Sequence, residues 1–145
     1  MKDIQNQHDT RNIPIDKVGI KDLKYPITVL DRKNRVQHTV ASICMYVDLP
    51  HEYKGTHMSR FVEILHMFHP EVELKKISGI LEEMKKYLNA ASANIDITFP
   101  YFIKKESPVT KTIGLMDYSC SILGSSNSEG KTDIELVVVV PISSV

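Results

Sequence analysis

The sequence carries no surplus of either charge: 18 Lys plus Arg balance 18 Asp plus Glu in 145 residues. No global field therefore favours nucleic acid or an anionic membrane surface, and any anion has to be held locally. No apolar run approaches the roughly 18 residues that a membrane helix needs. The opening segment, Met1-Lys2-Asp3-Ile4-Gln5-Asn6-Gln7, has no apolar core of a signal peptide. A cytoplasmic protein without a membrane or nucleic-acid partner is expected. The two cysteines, Cys44 and Cys120, sit in strand-like runs with no Cys-x-x-Cys spacing, which reads as small buried residues in a reducing compartment rather than as nucleophiles. Neither the Gly-x-x-x-x-Gly-Lys phosphate loop nor the Gly-x-Gly-x-x-Gly dinucleotide fingerprint occurs.

What is present is a composition of 42% apolar and 25% charged residues, enough for one globular domain with a real core. Its most telling stretch is Lys54-Gly55-Thr56-His57-Met58-Ser59-Arg60-Phe61, where three potential cations stand at a helix start. The first turn of a helix has unpaired N–H groups and a partial positive charge, so each basic side chain there costs roughly 0.3–1 kcal/mol unless an anion offsets it. The next helix follows the usual rule, with Glu71 and Glu73 at its start and Lys85 and Lys86 in its last turns. Gly55 permits close backbone approach, Thr56 can cap, and Lys54, His57 and Arg60 can converge on a phosphate-bearing ligand. The competing reading is an ordinary pairing of Arg60 with Glu63 one turn on.

Residues 1 to about 22 are polar, contain Pro14 and Gly19, and show no sustained period, so an extended arm is expected there, followed by one module over 23–145. Leu23, Tyr25, Ile27 and Val29 alternate with polar residues and Pro26, predicting a first strand at an edge or bulge. After a turn at Asp31 to Arg35, a second strand is predicted from Val36 to Leu49, with Ala41, Ile43, Met45, Val47 and Leu49 on one face and a bulge required by its length. Helix one is predicted over Thr56 to Phe68, with an apolar stripe of Met58, Phe61, Val62, Leu65 and Phe68. Helix two is predicted over Glu71 to Asn89, with Leu74, Ile77, Leu81, Met84 and Leu88. The short joint at His69-Pro70 makes the pair a hairpin covering one sheet face. Strands around 94–104, 112–123 and 131–141 complete an antiparallel α+β sandwich without parallel βαβ units. The terminal run Leu136-Val137-Val138-Val139-Val140 reads as a buried strand at which the chain breaks off.

Catalytic chemistry is thin. His66 and His69 are three apart, but a catalytic metal site needs about three converging ligands, and His38 reads as a packed strand histidine. Glu82-Glu83 lie on a solvated helix face, and Glu129 and Asp133 flank a Ser/Gly loop. The residues bind something anionic and show no apparatus for reacting it.

Several segments together resemble the type IB GTP cyclohydrolase family: Asp3-Ile4-Gln5 with Asp9-x-Arg11, Ile15-Asp16-Lys17-Val18-Gly19, Leu23-Lys24-Tyr25-Pro26, Val47-Asp48-Leu49-Pro50, Lys54 to Phe61, and the closing Val-Val-Pro-Ile-Ser-Ser. The resemblance spans essentially the whole chain. It implies a tunnelling fold built of two tandem modules, of which this sequence is the first, assembled as a homotetramer. It further implies a divalent-metal-dependent hydrolase that converts GTP to 7,8-dihydroneopterin triphosphate and formate, at the start of folate synthesis, by attack of a metal-activated water on C8 of guanine. The metal ligands and the glutamate that anchors guanine are implied to lie beyond Val145, leaving this chain inactive alone and without ligands of its own. On this half, Lys54, Thr56, His57, Ser59 and Arg60 are the implied triphosphate contacts, unless the same motif stabilises a subunit interface. Gln5, Asp9 and Arg11 match the family without an assignable chemistry. Two other readings stay open: a non-catalytic nucleotide-binding or oligomerisation module, and another purine- or pterin-handling enzyme of the same fold.

Overall fold

The computed structural model describes residues 15–30, 36–50, 59–68 and 71–140. The arm up to residue 14, the turn at 31–35, the segment 51–58, the His69-Pro70 joint and residues 141–145 lie outside the described residues. The elements run β1 (Ile15–Leu30), β2 (Val36–Pro50), α1 (Ser59–Phe68), β3 (Glu71–Val72), α2 (Leu74–Tyr87), β4 (Ser92–Glu106), β5 (Ile113–Ser126) and β6 (Thr132–Val139). They form one sheet in the order β3-β1-β2-β4-β5-β6. Neighbours from β1 to β6 are antiparallel. The helix pair covers one sheet face, and an α+β architecture results, as the strand and helix order implied.

The core shows why these segments fold as they do. Ala41, Ile43, Met45 and Val47 of β2 alternate into it, as do Ala93, Ile95, Ile97 and Phe99 of β4. Against them pack Phe61, Ile64 and Leu65 of α1 and Ile77, Ile80, Leu81 and Met84 of α2, with Leu88 just past its end. Ile64 and Ile80 are buried in addition to the anticipated stripes, since an apolar helix face spans more than one row. Met58 and the Leu74 side chain lie outside the described residues. Helix two begins at Leu74 rather than Glu71, because Glu71 and Val72 pair with Thr28 and Val29 of β1. That pairing is parallel, a two-residue exception to the all-antiparallel expectation. Glu73 precedes α2 with extended backbone (φ −131°, ψ 142°).

β1 starts at Ile15, eight residues earlier than its alternation suggested, so 15–22 belong to the sheet and not to an arm. Its apolar residues change parity, from Val18 and Ile20 to Leu23, Tyr25, Ile27 and Val29, all packed in or against the core. Only an extra residue reconciles the two halves. The register accordingly shifts between Ile20, opposite Met45, and Leu23, opposite Ile43, so Lys21 and Asp22 together face Cys44. The bulge anticipated in the second strand therefore sits in the first. Asp22 takes φ 56° there, a left-handed conformation that Asp tolerates better than most residues.

Two close approaches fix the layers. At Gly19 a Cβ would stand 2.0 Å from the Met45 carbonyl oxygen, and at Gly124 it would meet Ile77 Cγ2 at 2.8 Å. The first lets β1 lie tight on β2 beside the bulge, and the second lets α2 settle onto β5. At the other end of the sheet, backbone pairing of β2 with β4 stops at Ser42 and Thr98. Pro100 follows, which lacks a donor. Side chains take over: Thr39 Oγ1 donates to the Pro100 carbonyl at 3.0 Å. Gln37 both donates to the Phe102 carbonyl at 3.0 Å and accepts from its N–H at 2.7 Å.

The terminal strand corrects another expectation. Residues Leu136 to Val140 are exposed, with Leu136 at 55% and Val139 at 60%, because among the described residues β6 pairs with β5 alone and leaves its other edge open. Cys120 is buried, whereas Cys44 is half-buried on the helix-free face. His38 is exposed rather than packed, sharing a hydrogen bond with Thr28 Oγ1 at 3.2 Å.

These contacts generate two stability predictions. Gly19→Ala lowers unfolding free energy by about 1–3 kcal/mol, while Gly114→Ala, where a Cβ meets nothing within 4 Å, changes it by less than about 0.5 kcal/mol; urea-denaturation midpoints check both. Burial raises the Tyr25 phenol above its ordinary value near 10. The folded state thus holds the proton more tightly, and that contribution is complete below about pH 10 and lost as pH rises through the raised value. Thermal denaturation between about pH 8 and about pH 11 shows an alkaline loss that Tyr25→Phe diminishes.

Candidate functional site

Of the five residues expected to hold phosphate, the structure describes two. Lys54, Thr56 and His57 lie outside the described residues. Ser59 opens α1 and is exposed, and Arg60 beside it is half-buried. The first turn of α1 contains no acidic residue, and neither does that of α2, which starts at Leu74 beyond Glu71 and Glu73, so the expected contrast between the two helix starts is not found. Arg60 Nη1 donates to the carbonyl of Tyr87 at 2.6 Å, rather than pairing with Glu63. Tyr87 is the last residue of α2, so α1 begins where α2 ends. A cation unfavourable at one helix start is favourable at the carboxyl end of the other, where unpaired carbonyls concentrate negative charge.

That carboxyl end is held firmly. The N–H groups of Leu88, Asn89 and Ala90 donate to the carbonyls of Met84, Lys86 and Lys85, with Asn89 at φ 51°, an αL termination of the kind that closes many helices. Lys85 Nζ reaches across to Ser126 Oγ at 3.1 Å and the Asn127 carbonyl at 2.9 Å. Ser126 Oγ donates to Glu82 at 3.2 Å. Glu82 thus serves this tie, beyond the solvated role its position suggested.

On the other side of the sheet, the helix-free face is polar near the bulge. Ser42 Oγ donates to Asp22 Oδ1 at 3.4 Å and the Asp22 N–H points to Cys44 Sγ at 3.5 Å. Thr98 Oγ1 donates to Asp96 at 3.1 Å and lies 3.0 Å from Ser121 Oγ. Cys44, Tyr46, Asn94, Asp96, Asp133 and Glu135 line an open groove of about 580 Å³. The Lys17 ammonium stands 5.2 Å from the Tyr46 ring centroid, within cation–π range. Among the described residues no three His, Cys, Asp or Glu side chains are grouped to hold a metal ion. His66 instead meets the Tyr25 hydroxyl through Nδ1 at 3.0 Å, edge-on at 5.7 Å between rings; His69 lies outside the described residues.

The sequence match to Val47-Asp48-Leu49-Pro50 gave no role to Asp48, the one charged residue in the second half of β2. Ser92 Oγ donates to its Oδ2 in a short hydrogen bond, while Oδ1 is buried without a partner among the described residues. Its place in Val47-Asp48-Leu49-Pro50, directly before the segment that leads to α1, was the available signal, because a carboxylate at a strand end needs donors from a neighbour. Ser92→Ala removes the hydroxyl donor from that carboxylate and lowers stability by about 1.5–3 kcal/mol. Urea-unfolding midpoints read the loss, with Ser128→Ala in the exposed β5–β6 turn as the control.

Comparison with known proteins accounts for the entire chain. The family model for type I GTP cyclohydrolase FolE2 matches residues 1–145. A GTP cyclohydrolase FolE2 of Desulfosudis oleivorans is 63% identical over 145 residues, covering 100% of this chain and 56% of the relative. One from Syntrophobacter fumaroxidans is 53% identical over 145 residues, with the same coverage. One from Thermosipho africanus is 50% identical over 144 residues, covering 99% of this chain and 55% of the relative. The chain thus spans little more than half the length of the curated relatives it matches. On the strength of a match along its whole length, the chain belongs to the type I GTP cyclohydrolase FolE2 family.

Proposed function

We propose that residues 1–145 are the first of two tandem tunnelling-fold modules of a GTP cyclohydrolase, which converts GTP to 7,8-dihydroneopterin triphosphate and formate at the entry to folate synthesis. The observation that carries this reading is the whole-length family match, with relatives named GTP cyclohydrolase at 50–63% identity. In this reading the module's part in the reaction is to bind and orient the triphosphate through Lys54, Thr56, His57, Ser59 and Arg60. A point charge, hydroxyl donors and a guanidinium suit a polyanion presented to a helix start.

The divalent metal ion of the intact enzyme belongs to the same proposal, but the described residues do not fit it, for no suitable ligand group occurs among them. On the family resemblance alone, its ligands are proposed to lie beyond Val145. A homotetramer in the cytoplasm is likewise proposed. The exposed apolar strand β6 supports association, since an unpaired apolar edge favours pairing with further strands.

Lys54→Ala in the full-length protein lowers kcat/KM for GTP by about 1.5–3 kcal/mol of transition-state binding, the range for a charged hydrogen bond. Fluorescence of the oxidised pterin product measures it. Unchanged kinetics would remove the phosphate role from this segment, and GTP binding without turnover by the full-length protein would favour a non-catalytic nucleotide-binding module.

A further inference from the structure

We infer that Asn127 is a positioning residue: its side chain selects between two registers that the sequence of β6 does not itself distinguish, and so fixes where the chain leaves the sheet. The inference stands on β5, β6 and the turn between them, and it does not depend on the triphosphate reading.

The first observation is a repeat within β6. Asp133 is followed two positions later by Glu135, Ile134 by Leu136, Leu136 by Val138, Val137 by Val139 and Val138 by Val140. Side chains on a strand alternate with period two, so a slip of two residues keeps every side chain on its own face. In the observed register Val137 lies opposite Ser121, Glu135 opposite Leu123 and Asp133 opposite Ser125. A slip toward the turn would set Val139, Val137 and Glu135 in those places. Valine would replace valine, one carboxylate would replace another, and Val137 would meet Leu123 where Glu135 had been.

Burial does not correct this ambiguity. Register is strongly specified where one face of a strand is buried, yet β6 is exposed on both faces from Asp133 to Val139. Among the described residues its one strand partner is β5. Lengthening the turn from 127–131 to 127–133 adds little closure entropy. The discrimination therefore has to come from the turn.

The turn supplies it through Asn127. Its Oδ1 accepts the N–H of Glu129 at 3.0 Å and that of Lys131 at 2.9 Å. Its own N–H donates to the Lys131 carbonyl at 3.0 Å, and Gly130, at φ 83°, donates to the Asn127 carbonyl at 3.0 Å. Lys131, the residue directly before β6, is thus held from both sides by one residue. That residue is itself fixed to the helix layer, because Lys85 Nζ reaches the Asn127 carbonyl at 2.9 Å and the hydroxyl of Ser126, a residue 1% exposed, at 3.1 Å. The slip would carry Lys131 about 7 Å from Asn127, at some 3.4 Å per residue, and draw the exit of β6 back by the same distance.

The test traps the register by disulfide formation in the full-length protein. Ser121→Cys is combined with Val137→Cys, opposite it in the observed register, or with Val139→Cys, opposite it after the slip. A disulfide closes only when the Cα atoms come within roughly 4.4–6.8 Å, and a slip of two residues preserves the alternation of pair types, so both pairs are read under the same geometry. Peptide mass spectrometry after mild oxidation identifies the bond. With Asn127 in place, the 121–137 pair closes and the 121–139 pair stays reduced. Asn127→Ala, which removes the acceptor of two hydrogen bonds, raises closure of the 121–139 pair about tenfold. Asn127→Asp, whose carboxylate accepts from the same two N–H groups, restores the original preference. Gly130→Ala, strained at a positive φ, shifts the preference in the same direction and keeps the test decisive if Asn127→Ala does not fold. Asn127→Ala or Gly130→Ala protein that is less stable but still closes only the 121–137 pair would reduce the turn to a structural contact and overturn the inference. Slippage in Asn127→Asp equal to that in Asn127→Ala would overturn it as well, since the acceptor would then not be what selects the register.

Discussion

The extra residue at Lys21-Asp22, set against Cys44 alone, is the constraint on which the sheet depends. Side chains on a strand alternate with period two, so an uninterrupted β1 could bury Val18 and Ile20 or Leu23, Tyr25 and Ile27, but not both groups. The bulge turns the parity once and lets a strand of 16 residues present apolar side chains to the helices along its whole length. Its cost is local and handled locally. Asp22 accepts the left-handed conformation and receives Ser42, and Gly19 removes the Cβ that would strike Met45 where the strands close up.

With the sheet so aligned, the helix pair has one place to settle, over β2, β4 and β5. Gly124 marks how closely, since α2 occupies the space where any side chain on β5 would be. The hairpin that results puts the beginning of α1 against the end of α2. Each helix terminus has unsatisfied backbone groups of opposite character, and Arg60 bridges them. The electrostatics of the α1 start therefore cannot be evaluated from α1 by itself.

The two faces of the molecule divide its work. The helix-covered face holds the core. The opposite face combines the polar bulge region and the groove beside Tyr46. β6 leaves valines exposed along the edge. The relatives are nearly twice as long as this chain, and an edge left open among the described residues suits pairing with further strands.

Much of this was readable in the residues. The alternation Ala41-Ile43-Met45-Val47 and the stripes through Phe61 and Leu81 defined the strands, the helices and the α+β class, because side-chain periodicity is a local property. The motif from Lys54 to Phe61 and the other matching segments were specific enough to identify the family. The beginning of β1 escaped notice because its parity change mimics an irregular segment when the partner strand is out of view, and β6 read as buried because composition does not reveal which edge is paired. Asp48 entered only as part of the Val47-Asp48-Leu49-Pro50 match and was given no role, since an unsatisfied oxygen is defined only by what surrounds it. What the sequence by itself determined was the set of elements, their apolar faces and the family. What only the tertiary structure decided was the partner of each charge: Arg60 found the Tyr87 carbonyl 27 positions away, because the fields that choose such partners act through space and not along the chain.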